Sequence, residues 1–130
     1  DHIEVVCWRE LFITMLTSGS PAEAIGALGL GTETIVQRIY APFVDAINHI
    51  ETLTARDSVF FPLHTTVDDH HQATLKAVAA AFADTPQGRA DLAKGMHKAL
   101  TLRDSVWNWF YQRAVDPQQA KSQEQGRRIL

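Results

Sequence analysis

Apolar residues recur at three- and four-residue spacing along most of this chain, and no segment shows the two-residue alternation of a half-buried strand. A chain with that single period buries its stripes helix against helix. The sequence therefore predicts an all-α, antiparallel helical bundle. Residues 3–17 put Val5, Trp8, Leu11, Phe12, Met15 and Leu16 at helical spacing, and Ser18-Gly19-Ser20 ends that helix. Ser20-Pro21-Ala22-Glu23 reads as a capping box with Pro at the first helical position, opening a short helix to about Leu28. Gly29-Leu30-Gly31 is expected to loosen the backbone. Thr32 is expected to cap a longer helix from about Glu33 to Ile50, kinked at Pro42. Residues 51–58 read as a polar connection. Helices from Phe60 to Phe82 and from Arg89 to Ala114 follow, separated by Thr85-Pro86-Gln87-Gly88, and Asp116-Pro117 stops the last one. The bundle is thus assigned to residues 1–117, with a polar C-terminal tail at 118–130.

Composition narrows the function classes. With 130 residues and 45% apolar side chains, the chain makes one domain with a real core. A formal charge of −3 and a pI near 6.0 argue against nucleic acid as a partner, because that footprint needs a basic surplus on one face. No apolar run approaches the roughly 18 residues of a membrane span, so no membrane partner is expected. Cys7 stands alone, which excludes an internal disulfide and points to a reducing cytoplasm. Its expected role is that of a small buried hydrophobe.

The chemistry lies in ionisable groups on apolar stripes. At about 100° per residue, His64, Asp68 and His71 fall within an arc of about 60°, and the same stripe continues through Leu75, Val78 and Phe82. His64 and His71 are about 10 Å apart along the axis with Asp68 between them, within reach of one ion or of two neighbouring ions. On the preceding helix Glu33 shares a stripe with Val36, Tyr40, Phe43, Val44 and Ile47. An ionised carboxylate on a buried face must be paired or bound to metal. A Glu on one helix facing His-x3-Asp-x2-His on the next is a carboxylate-bridged di-iron layout. Imidazole and carboxylate donors without Cys suit iron or manganese better than structural zinc. With six His and nine Asp in the chain, the spacing arises by chance only about 0.02 times. Arg103 shares a stripe with Leu92, Met96, Ala99, Trp107, Phe110 and Ala114. It can pair with a carboxylate such as Asp57 or Asp104, or hold a substrate carboxylate in a bidentate fork. Tyr40 is a candidate for the wall of the same pocket.

These residues carry a resemblance. Leu28-Gly29-Leu30-Gly31-Thr32-Glu33 leads into an Ile- and Tyr-containing helix, Phe60-Phe61-Pro62-Leu63-His64 precedes Asp68 and His71, and Leu102-Arg103 precedes a Trp-rich helix end. The sequence resembles the haem-oxygenase-like di-iron oxidases and oxygenases, the iron-containing redox enzymes. The resemblance implies a haem-oxygenase-like bundle without haem, Fe(II) as cofactor with two irons in the complete site, and O2 with a small-molecule substrate as partners. The substrate would be amino-acid-like or fatty-acid-like. It carries over Glu33, His64, Asp68 and His71 as metal ligands, and no catalytic residue separate from them. The family draws a further Glu and His from an earlier helix. His2 and Glu4, two residues apart, point away from each other on a helix and do not supply that pair. The expectation is that this chain is the C-terminal part of a longer domain. Two other readings stand beside the first. One is a metal-free enzyme on the same fold, of thiaminase or quinone-cofactor-synthase type. The other is a non-catalytic helical subunit with a degenerate metal site. The oligomeric state is open, with a homodimer as one option.

Overall fold

A computed structural model describes residues 2–115, and of residues 66–70 it describes the backbone alone. Asp116-Pro117 and the tail at 118–130 lie outside the described residues, as does the side chain of Asp68. Among the described residues all regular secondary structure is helical. It comprises α1 (Ile3–Ser18), α2 (Pro21–Ile25), a π-helical segment (Gly26–Glu33), α3 (Thr34–Ile47), α4 (Ala55–Ser58), α5 (Phe60–Ala83) and α6 (Pro86–Val115). The long α6 packs along α1, α2, the π segment and α5, while α3 lies against α5.

Local chemistry explains most boundaries. Ser20 is extended, Pro21 follows it, and Ser20 Oγ accepts the Glu23 amide at 3.1 Å, so α2 starts where the sequence indicates. The expected capping box is only half made. The Glu23 carboxylate accepts instead from Lys94 Nζ (2.8 Å) and Lys98 Nζ (2.6 Å) of α6, and Ser20 Oγ donates to Asp91 Oδ2 at 2.8 Å. A full capping box appears where the sequence indicated only a connection. Thr54 Oγ1 accepts the Asp57 amide, Asp57 Oδ2 accepts the Thr54 amide, and α4 results. Thr85 Oγ1 accepts the Gly88 amide and opens α6. Helix α3 continues past Pro42 to Ile47.

The expected break at Gly29-Leu30-Gly31 does not occur. The chain passes through it as a π helix, and Thr32 caps nothing. Its Oγ1 donates back to the Ala27 carbonyl at 2.9 Å, and Thr34 Oγ1 donates to Leu30 O at 2.7 Å. Close approach to α6 is the reason. Gly26, Ala27, Gly29 and Gly31 are all buried. A β-carbon on Gly26 would collide with the Leu92 carbonyl, and one on Gly95 would collide with the Glu23 carbonyl. One on Gly31 would lie 2.8 Å from the Ala99 Cβ. Glycine is a poor helix former, but without β-carbons the two backbones touch, and this packing holds the segment helical. The dense core is accordingly built of small residues. Met15, Ala27 and Ala99 form one cluster with Phe12 and Leu102, and Ala22, Ala79 and Leu92 form another with Ile25 and Phe82.

Two stripes need correcting. On α5 the buried line runs through Ala79 with Leu75, Phe82 and Ala83 partly covered, while Val78 and His71 are exposed. On α6 Leu92, Ala99 and Arg103 are buried as expected, but Phe110 is half exposed and Ala114 is exposed. Periodicity fixes which residues share a face, whereas the neighbouring helices decide how far that face is covered. Cys7 is exposed, not buried.

The Glu23 carboxyl is held below its ordinary value of 4.5, first by the hydrogen bond from Lys94 and then by that from Lys98. A carboxylate lowered by folding stabilises the protein fully above its unfolded pKa, and that contribution disappears as the pH falls through the folded pKa. Glu23→Gln should therefore cost about 1–2 kcal/mol at pH 7, with the half-exposed lysines limiting the effect. Thermal melts of the two proteins should converge as the pH is lowered below about 4.5. A gap independent of pH would show that the loss is one of packing rather than charge.

Candidate metal centre

Glu33 ends the π segment and immediately precedes α3. A β-carbon on Gly29, one π turn earlier, would sit 3.1 Å from the Leu75 Cβ of α5. One turn later, Gln37 Nε2 donates to the Thr65 carbonyl of α5 at 3.5 Å. Glu33 lies midway between these two crossings, so it is level with residues 68–71 of the antiparallel α5. Its Oε2 is shielded from solvent.

His64 is half buried one turn further along α5. Its Nδ1 donates to the Phe60 carbonyl at 2.7 Å. In the neutral ring this fixes the proton on Nδ1 and leaves the Nε2 lone pair as the metal-binding position. Phe60 flanks the ring at 4.3 Å and the Tyr40 ring meets it edge-on at 6.1 Å. His49 makes the same backbone bond, to Asp45 O at 2.7 Å, but it is exposed beyond the end of α3. His71 is exposed on α5. The fourth expected ligand, Asp68, lies between His64 and His71 on the α5 backbone, with its side chain outside the described residues. Among the described residues, no group of three or more His, Cys, Asp or Glu side chains is gathered closely enough to hold a metal. The donor chemistry nevertheless fits iron: carboxylate and imidazole, one carboxylate oxygen out of solvent, and one histidine with its tautomer set by the backbone. Of the two early candidates, His2 packs against Trp109 of α6 at 4.9 Å, and Glu4, whose Oε2 is shielded from solvent, lines a cleft with Leu102 and Ser105 of the same helix.

Tyr40 leads from this region into a cavity of about 730 Å³ between α1, α3, α5 and α6. Its described walls are aromatic: Trp8, Tyr40, Phe43, Phe61, Trp107 and Phe110 among them. Phe43 stacks on Phe61 at 5.3 Å and meets Trp107 at 5.0 Å. Arg103 lines this cavity and, with Trp107, a second and shallower one beside it. Arg103 is only 8% exposed, and its Nε has no hydrogen-bond partner among the described residues. Neither carboxylate suggested for it takes it: Asp57 is engaged by Thr54 and Asp104 accepts from Asn108. Trp107 lines both cavities, whereas Trp109 carries the Arg113 guanidinium over its ring at 5.0 Å. The aromatic wall was not recognised as a unit from the sequence. Its signal is the pairing of Tyr40/Phe43 with Phe60/Phe61 and Trp107/Phe110, each an intrahelical neighbour pair.

The all-α bundle thus carries a carboxylate oxygen shielded from solvent, an imidazole oriented by the backbone and an adjoining aromatic cavity, an arrangement compatible with the expected haem-oxygenase-like fold. The comparison with family models agrees: that of the iron-containing redox enzymes matches residues 3–104, and the chain belongs to this family. Comparisons with curated proteins and with solved structures return no match. No helix among the described residues is long and apolar enough to cross a membrane.

Proposed function

We propose that the protein is a non-haem, iron-dependent oxidase or oxygenase that uses O2 on a small metabolite, with Glu33, His64, Asp68 and His71 contributing to a two-iron centre. The observation that carries this reading is the solvent-shielded Glu33 oxygen at the level of residues 68–71 of α5, in a chain of the iron-containing redox enzyme family. Fe(II), held by these residues, would supply the first electrons to O2, and oxidation of the substrate the remainder. The contribution of the chain itself is charge, orientation and exclusion of water. Glu33 and Asp68 offset the metal charge, and the Phe60 carbonyl holds the His64 ring with Nε2 presented. Tyr40 and Phe60 keep water from one side of that ring. The cavity beyond Tyr40 is the substrate chamber, where Arg103 binds an acidic group.

The test is anaerobic loading with Fe(II), metal analysis after desalting, and then an O2 pulse followed by oxygen electrode and visible absorption. Retained iron with oxygen consumption and a transient visible band is the expected result. Iron retention no greater than that of Glu33→Ala, together with no oxygen consumption, would sink the proposal and leave the metal-free or non-catalytic reading.

A further inference from the structure

We infer that the cleft between the start of α1 and α6 binds a short protonated primary amine, its ammonium taken by the Glu4 carboxylate. This site is separate from the proposed iron centre and from the cavity that holds Arg103, and it depends on neither. The described walls of the cleft are Ile3, Glu4, Cys7 and Trp8 of α1 and Leu102 and Ser105 of α6, around a space of about 180 Å³. Trp8 is shared with the aromatic cavity, whereas Glu4, Cys7 and Ser105 line the cleft alone.

Glu4 carries the argument. Its Oε2 is shielded from solvent, and its carboxylate makes no hydrogen bond or ion pair to any described residue. A place in the first turn of α1 suits a negative charge, but the Val5 and Val6 amides donate to the His2 carbonyl at 3.1 and 3.0 Å instead. A carboxylate partly withdrawn from water without a partner is costly, and a donor that brings positive charge offsets that cost. No Lys, Arg or His stands among the described walls to supply one. The charge of the ligand follows. A metal ion is a poor fit, because the cleft offers one carboxylate and one thiol, and no group of three or more metal-binding side chains gathers among the described residues. The other walls set the rest of the ligand. The Ser105 hydroxyl is a second acceptor, so a head with several N–H donors can satisfy both groups, which a quaternary ammonium cannot. The Trp8 ring attracts any cation, and Ile3 and Leu102 suit a short alkyl chain. The space is smaller than the roughly 300 Å³ at which drug-sized sites begin, so the ligand has only a few heavy atoms.

The experiment uses the full chain and probes of equal heavy-atom count: butylammonium, its isomer tetramethylammonium, and butan-1-ol. Binding is followed by calorimetric heat and by protection of Cys7 from iodoacetamide at pH 7. Cys7 is the single cysteine of the chain and is exposed, so its alkylation reports on this cleft. Butylammonium is expected to bind at least about tenfold tighter than butan-1-ol, the range of a charge-assisted hydrogen bond. It should also bind tighter than tetramethylammonium, which has the charge but no N–H. It should slow the alkylation of Cys7 over the same concentrations that release heat. Glu4→Gln, which keeps the side-chain shape, should remove the advantage over butan-1-ol without lowering the Tm, and Ser105→Ala should weaken butylammonium several-fold. Equal binding of butylammonium and butan-1-ol to the wild type overturns the inference without any variant. Heat of binding with no protection of Cys7 overturns it too, because the ligand is then elsewhere. Tetramethylammonium binding as tightly as its isomer overturns the assignment to a primary amine. A Glu4→Gln protein that melts several degrees below the wild type shows that the carboxylate already has a structural partner, and the site falls.

Discussion

Glu33→Ala and His64→Ala should each weaken iron retention by at least about 100-fold and remove iron-dependent oxygen consumption, while the helical fold persists. Loss of a second-sphere partner alone costs a metal site about 10–100-fold, and these two residues are proposed ligands. The contrast that makes the test specific is His49→Ala. His49 carries the same Nδ1 bond to a backbone carbonyl four residues earlier as His64 does, but it is exposed beyond the end of α3. Removing it should leave iron retention unchanged. Asp68→Ala and His71→Ala complete the set and are expected to behave like Glu33→Ala. If His71→Ala alone retains iron at wild-type level, the exposed His71 is not a ligand and the set shrinks to three. Circular dichroism on each variant separates loss of metal from loss of fold. Equal iron retention in all of them would remove the centre altogether.

The sequence was informative wherever one helix sufficed to interpret it. The Ser20-Pro21 start, the long α5 and α6, and the inward phase of Val36, Leu92, Ala99 and Arg103 are all intrahelical facts, carried by caps and a 3.6-residue period. What the sequence could not show depends on pairs of helices. Glu23 has the spacing of a capping box, yet its carboxylate is taken by Lys94 and Lys98, more than seventy positions away. Gly29-Leu30-Gly31 has the composition of a loop, and only contact with α6 makes it helical. His71 shares an arc with His64, but how far a neighbouring helix covers that arc is not written in its own spacing. The candidate site divides the same way. The donor types and their order were legible, whereas the cavity lined by Arg103 and four helices' aromatic rings emerges only when those helices meet.

That dependence on close helix contact leads to the largest stability effect expected. Gly95→Ala should destabilise the protein by about 3 kcal/mol or more, a fall in Tm of more than about 10 °C. On an exposed helix the same change would be favourable by up to about 1 kcal/mol. Here the added β-carbon would collide with the Glu23 carbonyl, a backbone atom that cannot move aside by changing rotamer. Gly26→Ala meets the Leu92 carbonyl from the other side and should act in the same direction. Gly29→Ala is the internal comparison. Its β-carbon would lie 3.1 Å from the Leu75 Cβ, a side-chain contact that a few tenths of an ångström relieve, so the net change should stay within about 1 kcal/mol. The two sites also differ in what they hold. The contact at Gly26 and Gly95 seats the π segment against α6, and that segment delivers Glu33 to the level of residues 68–71 of α5. Prising it apart should therefore lower iron retention in whatever fraction of Gly95→Ala remains folded, while Gly29→Ala retains iron. Thermal melts and metal analysis on the two variants decide the point. A Gly95→Ala protein as stable as the wild type would mean that α6 and the π segment are not in backbone contact.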